Sequence, residues 1–269
     1  KRRATTEVSN IGRAHVPVVM ADLSKLNHIT PSDLLQVGYQ YSEKLDKWFI
    51  GDRAADYIFI GYQNLDFQLP GTLKAVVYPP AFDLQEHKEQ FCPLFEVSSY
   101  LAGTDQKGKV NFVHIPVYAD PATDIGGEAL QQLAADPTVV FILSSNRKNA
   151  LQAIRRFIID LEEKNINNPV VISISSHWQT ADEHLIHFST EAGGLLVDGM
   201  GDGVFFHLKT TAYKELAGNF QAAAGRNYQQ NTNVEQFLNA TAFSILQASR
   251  TRISKTEYIS CPSCGRTLF

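Results

Sequence analysis

The sequence predicts an α/β protein built on a parallel sheet closed into a TIM-barrel-like barrel. Short apolar segments alternate along the chain with amphipathic stretches of helical period, the pattern of repeated strand–helix units. Two of the apolar segments, "TVVFIL" at 138–143 and "PVVISI" at 169–174, are almost unbroken, as parallel strands covered on both faces are. About eight strand candidates fall within roughly 250 residues, the usual size of such a barrel. An open doubly wound sheet would give much the same alternation.

Taken in order, "VPVVMADL" from Val16 is the first strand, and a helical pattern follows from Ser32. "DYIFIGY" from Asp56, "KAVVYP" from Lys74 and "VNFVHIPVY" from Val110 are further strands. The helix "GGEALQQLAA" leads to "TVVFILSS". A long helix is predicted over 147–164, because Ala150, Leu151, Ile154, Phe157, Ile158 and Leu161 recur on one face. Ser145 or Asn146 is placed to cap it, and Asn167-Asn168-Pro169 to stop it, since proline disfavours helical geometry in the preceding residue. "PVVISISS", a helix through His184, and the strands "GGLLVDG" and "GVFFHL" come next. Residues 217–233 lose all periodicity and read as a polar excursion. The last helix is marked by Asn233 as cap, Gln236 three residues on, and the stripe Val234, Phe237, Leu238, Thr241, Ile245.

With 269 residues, 44% hydrophobic and 19% charged, the chain buries a full core and is neither disordered nor coiled. No apolar run is long enough to cross a bilayer. A formal charge of −4 argues against a dedicated nucleic-acid surface, which needs clustered Lys and Arg. The one dense basic run, Lys1-Arg2-Arg3, is expected to be a solvated arm. Few, unpaired cysteines point to a reducing, cytoplasmic setting without disulfides. The chain opens on "KRRATTEV" without Met or a targeting signal, so both ends are expected to be cuts in a longer protein.

Chemistry concentrates near the C-terminus. Cys261 and Cys264 form a Cys-x-x-Cys pair, which holds a metal or cluster from one tight turn but fills only half of a tetrahedral shell. The remaining cysteine, Cys92, cannot complete a four-thiolate ribbon and, beside Phe91 and Leu94, is expected to be a small buried residue. His184 and His187, three apart on a helix, are expected to be packed or solvated and not metallated. In "GGLLVDGMGDGVFF", Gly199, Gly201 and Gly203 free the backbone to turn, exposing amides that could hold a phosphate. Asp198 and Asp202 would repel one, and a plain turn is the simpler reading. Two other classes stay open at this point. One is a scaffold with a zinc half-site completed by a second chain, and the other a phosphate-binding α/β enzyme using Asp198, Asp202 and His177.

Read together, "EAGGLLVDGMGDGVFFHL" and "FSILQASRTRISKTEYISCPSCGRTLF" resemble the C-terminal part of the 4-hydroxy-3-methylbut-2-enyl diphosphate synthases, in the long form of plants, chlamydiae and Bacteroidetes. The resemblance covers 192–269: a Gly-Asp-Gly loop, an amphipathic helix, Arg250-x-Arg252, then Cys-Pro-Ser-Cys-Gly-Arg-Thr-Leu-Phe. It is weaker over 1–191. It implies that 1–252 is the inserted, barrel-like middle domain and 253–269 the edge of an iron–sulfur domain. It further implies reductive opening of 2-C-methyl-D-erythritol 2,4-cyclodiphosphate in non-mevalonate isoprenoid synthesis by the whole bacterial enzyme. The cofactor implied is a [4Fe-4S] cluster on three cysteines and a glutamate. Cys261 and Cys264 match the first two ligands, and the others fall beyond Phe269. Implied partners are the catalytic barrel and the rest of the iron–sulfur domain of the same protein, with ferredoxin or flavodoxin as electron donor. No catalytic residue is expected within 1–252. The family's catalytic barrel has an acidic residue in a Thr-Glu-Ala-Gly stretch upstream of its Gly-Asp loop, where this chain is read as offering His177 and Trp178. Its next strand carries an Arg where this one reads "GVFFHL". The domain is therefore expected to be a degenerate second copy, kept for shape.

Overall fold

In the computed structural model, residues 2–118, 124–218 and 233–256 are described. Strand β1 (Val18–Asp22) is followed by a 3-10 helix (Pro31–Val37) and an antiparallel hairpin, β2 (Tyr39–Ser42) and β3 (Lys47–Ile50). Then come β4 (Tyr57–Gly61), β5 (Lys74–Val77), α1 (Pro79–Asp83), β6 (Phe91–Glu96), α2 (Val97–Ala102) and β7 (Asn111–Pro116). After α3 (Gly127–Ala134), β8 (Val139–Ser144), α4 (Ala150–Glu163) and β9 (Val170–Ser176), α5 (Ala181–Phe188) runs through a π-helical turn into α6 (Gly194–Val197). β10 (Gly203–Leu208), α7 (Thr210–Gly218) and α8 (Val234–Ala248) complete the series. Eight strands close in the order β1-β10-β9-β8-β7-β6-β5-β4, every pair parallel. The predicted barrel is what the chain forms.

Alternation along each strand separates two cores. Met20, Phe59, Val76, Leu94, Phe112, Ile142, Val171 and Phe205 fill the interior. Val19, Ile58, Val77, Phe141, Ile172 and Phe206 face outward against the helices. Helix α8 packs on β1 and β10, burying Val234, Phe237, Leu238, Thr241 and Ile245 as predicted. Asn233 caps it, its side chain accepting the Gln236 N–H at 2.9 Å.

Several local expectations change. "GGLLVDG" is helical, not a strand. The missing eighth strand is β6, hidden because Pro93 cannot donate to a ladder; pairing with β7 begins only after it, at Leu94. The β2–β3 hairpin has mostly exposed residues and left no alternating pattern to read. Helix α4 starts at Ala150 and ends near Lys164, with Asn165 in the left-handed region at φ 56°. It thus stops before Asn167-Asn168-Pro169, and neither Ser145 nor Asn146 caps it. No helix among the described residues is long and apolar enough to cross a membrane.

The N-terminal segment overturns the solvated-arm expectation by plugging the barrel's N-terminal face. Val8 and Ile11 pair and bury there, and the Tyr57 hydroxyl donates to Asn10 at 2.5 Å. Arg3 is 7% exposed and donates to the carbonyls of Asn168, at 3.1 Å, and Ile166. Two of the five guanidinium donors thus meet carbonyls of the α4–β9 loop, while the buried Nε has no partner among the described residues.

Candidate functional site

In barrels of this kind chemistry sits at the C-terminal ends of the strands, and the opposite face serves stability. The Gly193–Gly203 stretch immediately precedes β10 and so belongs to the N-terminal face. Its amides are already used: Gly199, Met200 and Asp202 N–H donate to the carbonyls of Leu196, Leu195 and Val170 at 3.0, 2.9 and 2.6 Å. The Asp202 carboxylate accepts from Arg2 at 2.7 Å, Thr5 at 3.1 Å and the Val170 N–H at 2.9 Å. The glycines answer to backbone geometry. Gly201 has φ +99°, and a Cβ on Gly203 would lie 2.6 Å from the Val18 side chain where β10 meets β1. The amides and the carboxylate so engaged are not free to cradle a phosphate. Asp198 pairs with Arg155 on the surface of α4.

His177 lies at the other end, just beyond β9. Six registered residue pairs between β9 and β10, about 20 Å of strand, separate it from Asp202. The trio Asp198, Asp202 and His177 is therefore not one site. His177 stacks on Trp178, with centroids 5.3 Å apart, beside a cleft of about 630 Å³ between the loop after β8 and α5. His184 and His187 are packed, as expected, each placing Nδ1 near Ser176 Oγ, at 2.7 and 3.0 Å. Burial pushes His184 down to about 4.

The same cleft holds a correction. Thr190-Glu191-Ala192-Gly193 carries the Thr-Glu-Ala-Gly order that was read as missing. Its acid has a structural partner, because Glu191 accepts the N–H of Leu151 in the first turn of α4. This supplies the cap expected from Ser145 or Asn146. Burial raises the Glu191 carboxyl, opposed by that N–H.

The barrel mouth, which the sequence reading passed over, opens into a cavity of about 510 Å³. Asp22, Tyr78 and Glu96 stand at or just past the ends of β1, β5 and β6, and His114 and His207 lie in the C-terminal halves of β7 and β10. Each follows an apolar run, as in "VVMAD", "FVH" and "VFFH", and that was the signal available. His114 Nδ1 lies 3.1 Å from Glu96 and its Nε2 2.8 Å from Ser144. His207 Nε2 lies 3.1 Å from Ser173 Oγ. Burial, then His114 and Lys25, push His207 down to about 4. Asp22 is 6% exposed, and burial raises its carboxyl against the hydrogen bonds from Ser24.

Cys92 is buried inside the barrel, as expected, and its thiol is pushed up to about 12. Cys261 and Cys264 lie outside the described residues. Among the described residues no group of three His, Cys, Asp or Glu side chains converges to hold a metal. Two thiolates spaced by two residues suit iron or zinc by donor type and fill half of a tetrahedral shell.

Arg252 anchors the chain that leads to this pair. It donates to Pro17 O at 3.1 Å and to both oxygens of Asp56, its Nη2 at 3.3 Å, and its guanidinium lies 4.9 Å from the Phe243 ring centroid. Pro17 and Asp56 directly precede β1 and β4, so this contact is also on the N-terminal face.

No family model matches the chain. Over 268 residues, all of this chain, it is 31% identical to 4-hydroxy-3-methylbut-2-en-1-yl diphosphate synthase (flavodoxin) of Bacteroides thetaiotaomicron. It is a homologue of these synthases. The Parabacteroides distasonis synthase is also 31% identical over the whole chain. The chloroplastic, ferredoxin-type synthase of Arabidopsis thaliana is 38% identical over 129 residues, 47% of this chain. The likeness thus extends well beyond the C-terminal motifs that suggested it. The chain spans about a third of the length of the full-length curated relatives, 36% for the Bacteroides protein.

Proposed function

We propose that residues 1–252 are the inserted middle barrel, and 253–269 the first edge of an iron–sulfur domain, in a long-form 4-hydroxy-3-methylbut-2-en-1-yl diphosphate synthase. The whole enzyme reductively opens 2-C-methyl-D-erythritol 2,4-cyclodiphosphate, drawing electrons from flavodoxin or ferredoxin. Cys261 and Cys264 are the first two thiolate ligands of its [4Fe-4S] cluster. The single observation carrying this reading is the match along the entire chain to synthases from Bacteroidetes. When bound, the cluster supplies the electrons that ring opening consumes.

The part played by this chain's own residues is mechanical. Arg2 and Arg3 fix the incoming chain, and Arg252 the outgoing chain, to the same face of the barrel. Cys261 is five residues past Thr256, the last described residue, a span of at most about 18 Å. The described chain is thereby tethered to the N-terminal face shortly before the cysteine pair, and the mouth opens at the opposite end of the barrel. Such an insertion spaces its neighbours and takes no part in proton transfer.

Cys261→Ser and Cys264→Ser in the full-length protein test the reading. Each should abolish iron and sulfide incorporation and reductive activity while leaving the circular dichroism of the barrel unchanged, because a hydroxyl is a poor iron ligand. A full complement of iron with normal turnover, or stoichiometric zinc in its place, would end the assignment.

A further inference from the structure

We propose that the barrel mouth binds a small, neutral, polyhydroxylated molecule of the sugar or polyol class. The inference rests on the barrel alone and is independent of the cluster reading. A cavity of about 510 Å³ at the C-terminal end of the strands has the size and position of a small-molecule site.

Polar groups without hydrogen-bonding partners among the described residues face into it. Asp22 uses Oδ1 to accept from the N–H and hydroxyl of Ser24, at 2.9 and 2.6 Å. Its Oδ2 accepts nothing from a described residue and is not sealed from the cavity. An acceptor open to the cavity in an otherwise buried side chain is one that a ligand hydroxyl can use in place of water. The Lys25 amine and Tyr78 hydroxyl also line the cavity, and neither makes a hydrogen bond or ion pair among the described residues. One acceptor and two donors held apart in this way suit several hydroxyls on one small carbon frame.

The opposite requirement, an apolar surface for C–H faces, is met by one wall. Tyr62, Tyr78, Phe59, Phe205 and His207 form an unbroken series of ring contacts at 4.6, 5.4, 5.5 and 4.9 Å. Tyr62, at the rim, is 70% exposed. Charge narrows the other small-ligand classes. Asp22 and Glu96 outnumber Lys25, which disfavours a phosphate or diphosphate, and no three metal-ligating side chains converge among the described residues; an organic cation is the rival that the experiment separates from a polyol.

Saturation-transfer NMR on the 269-residue chain, with erythritol, xylose, pyrophosphate and tetramethylammonium as probes, tests the proposal. At least one polyol should receive saturation, and neither ion should displace it. Asp22→Asn retains an acceptor for Ser24 but turns the free oxygen into a donor, and should weaken polyol binding about tenfold. Tyr62→Ala, an exposed position that cannot unfold the barrel, should weaken it about threefold. Absence of transfer to both polyols, equal binding in both variants, or binding of either ion in their place would overturn it.

Discussion

At the N-terminal face of the barrel, charged groups meet partners: Arg2 with Asp202, Arg3 with the carbonyls of Ile166 and Asn168, Arg252 with Asp56. At the C-terminal mouth, Asp22 Oδ2, the Lys25 amine and the Tyr78 hydroxyl find no hydrogen-bonding partner among the described residues. The first arrangement spends polar chemistry on holding the chain, and the second leaves it available. A glycine- and aspartate-rich loop has a different meaning at each end. Before a strand its amides and carboxylates close the barrel, whereas after a strand they would have faced a ligand.

Breaking the closed end should have the largest effect. Asp202→Ala leaves the Val170 N–H without its acceptor and Arg2 unpaired in a side-chain site only 3% exposed on the aspartate side. A loss of about 3 kcal/mol is expected, read as a lower denaturation midpoint with unchanged slope. Retention of wild-type stability would show that the N-terminal plug does not hold this face.

A pH-dependent effect comes from histidines near the open end. His184 and His207 lie near 4 when folded, below the unfolded value of about 6.5. Between these values the unfolded chain binds more protons, so stability should fall as pH drops from about 6.5 toward 4. The slope should approach about 1.4 kcal/mol per pH unit for each histidine. His184→Phe keeps a ring against Phe188 and should remove its share of the slope. An unaltered profile would mean that His184 does not titrate with folding.

Chelation should leave the fold of the described residues unchanged, because no three potential metal ligands converge among them and the barrel buries a large apolar core. Circular dichroism with and without chelator checks this, and a large loss of helix would contradict it. The smallest expected effect belongs to Asp198→Ala. Its pair with Arg155 is exposed enough (35% and 44%) for a cost below about 1 kcal/mol.

Much of the fold was legible because burial on both faces writes an apolar run directly into the sequence, as in β8 and β9. β6 was lost to Pro93, and "GGLLVDG" was mistaken for a strand because its apolar residues are too few to show a helical period. The N-terminal arginines misled for a different reason: a charge run shows its sign and not its partners, and these partners are backbone carbonyls more than 160 residues away. Of the candidate residues, the burial of Cys92 and the packing of His184 were read correctly from residue type and spacing. The mouth residues were available as polar ends of apolar strands, but they come from five separate strands, and only the closed barrel gathers them.

The most direct test is steady-state turnover of the full-length enzyme bearing Glu191→Gln, Asp202→Asn or His177→Ala, with cluster content and melting temperature measured on the same samples. These residues carry the acid of the Thr-Glu-Ala-Gly stretch, the acid of the glycine-rich loop and the histidine at the strand end. If the domain holds its neighbours and leaves chemistry to them, each variant should turn over within about tenfold of wild type, well short of the roughly 10²- to 10⁴-fold cost of losing a general acid or base. A thousandfold drop in any of them, with the cluster intact and the melting temperature unchanged, would contradict the account.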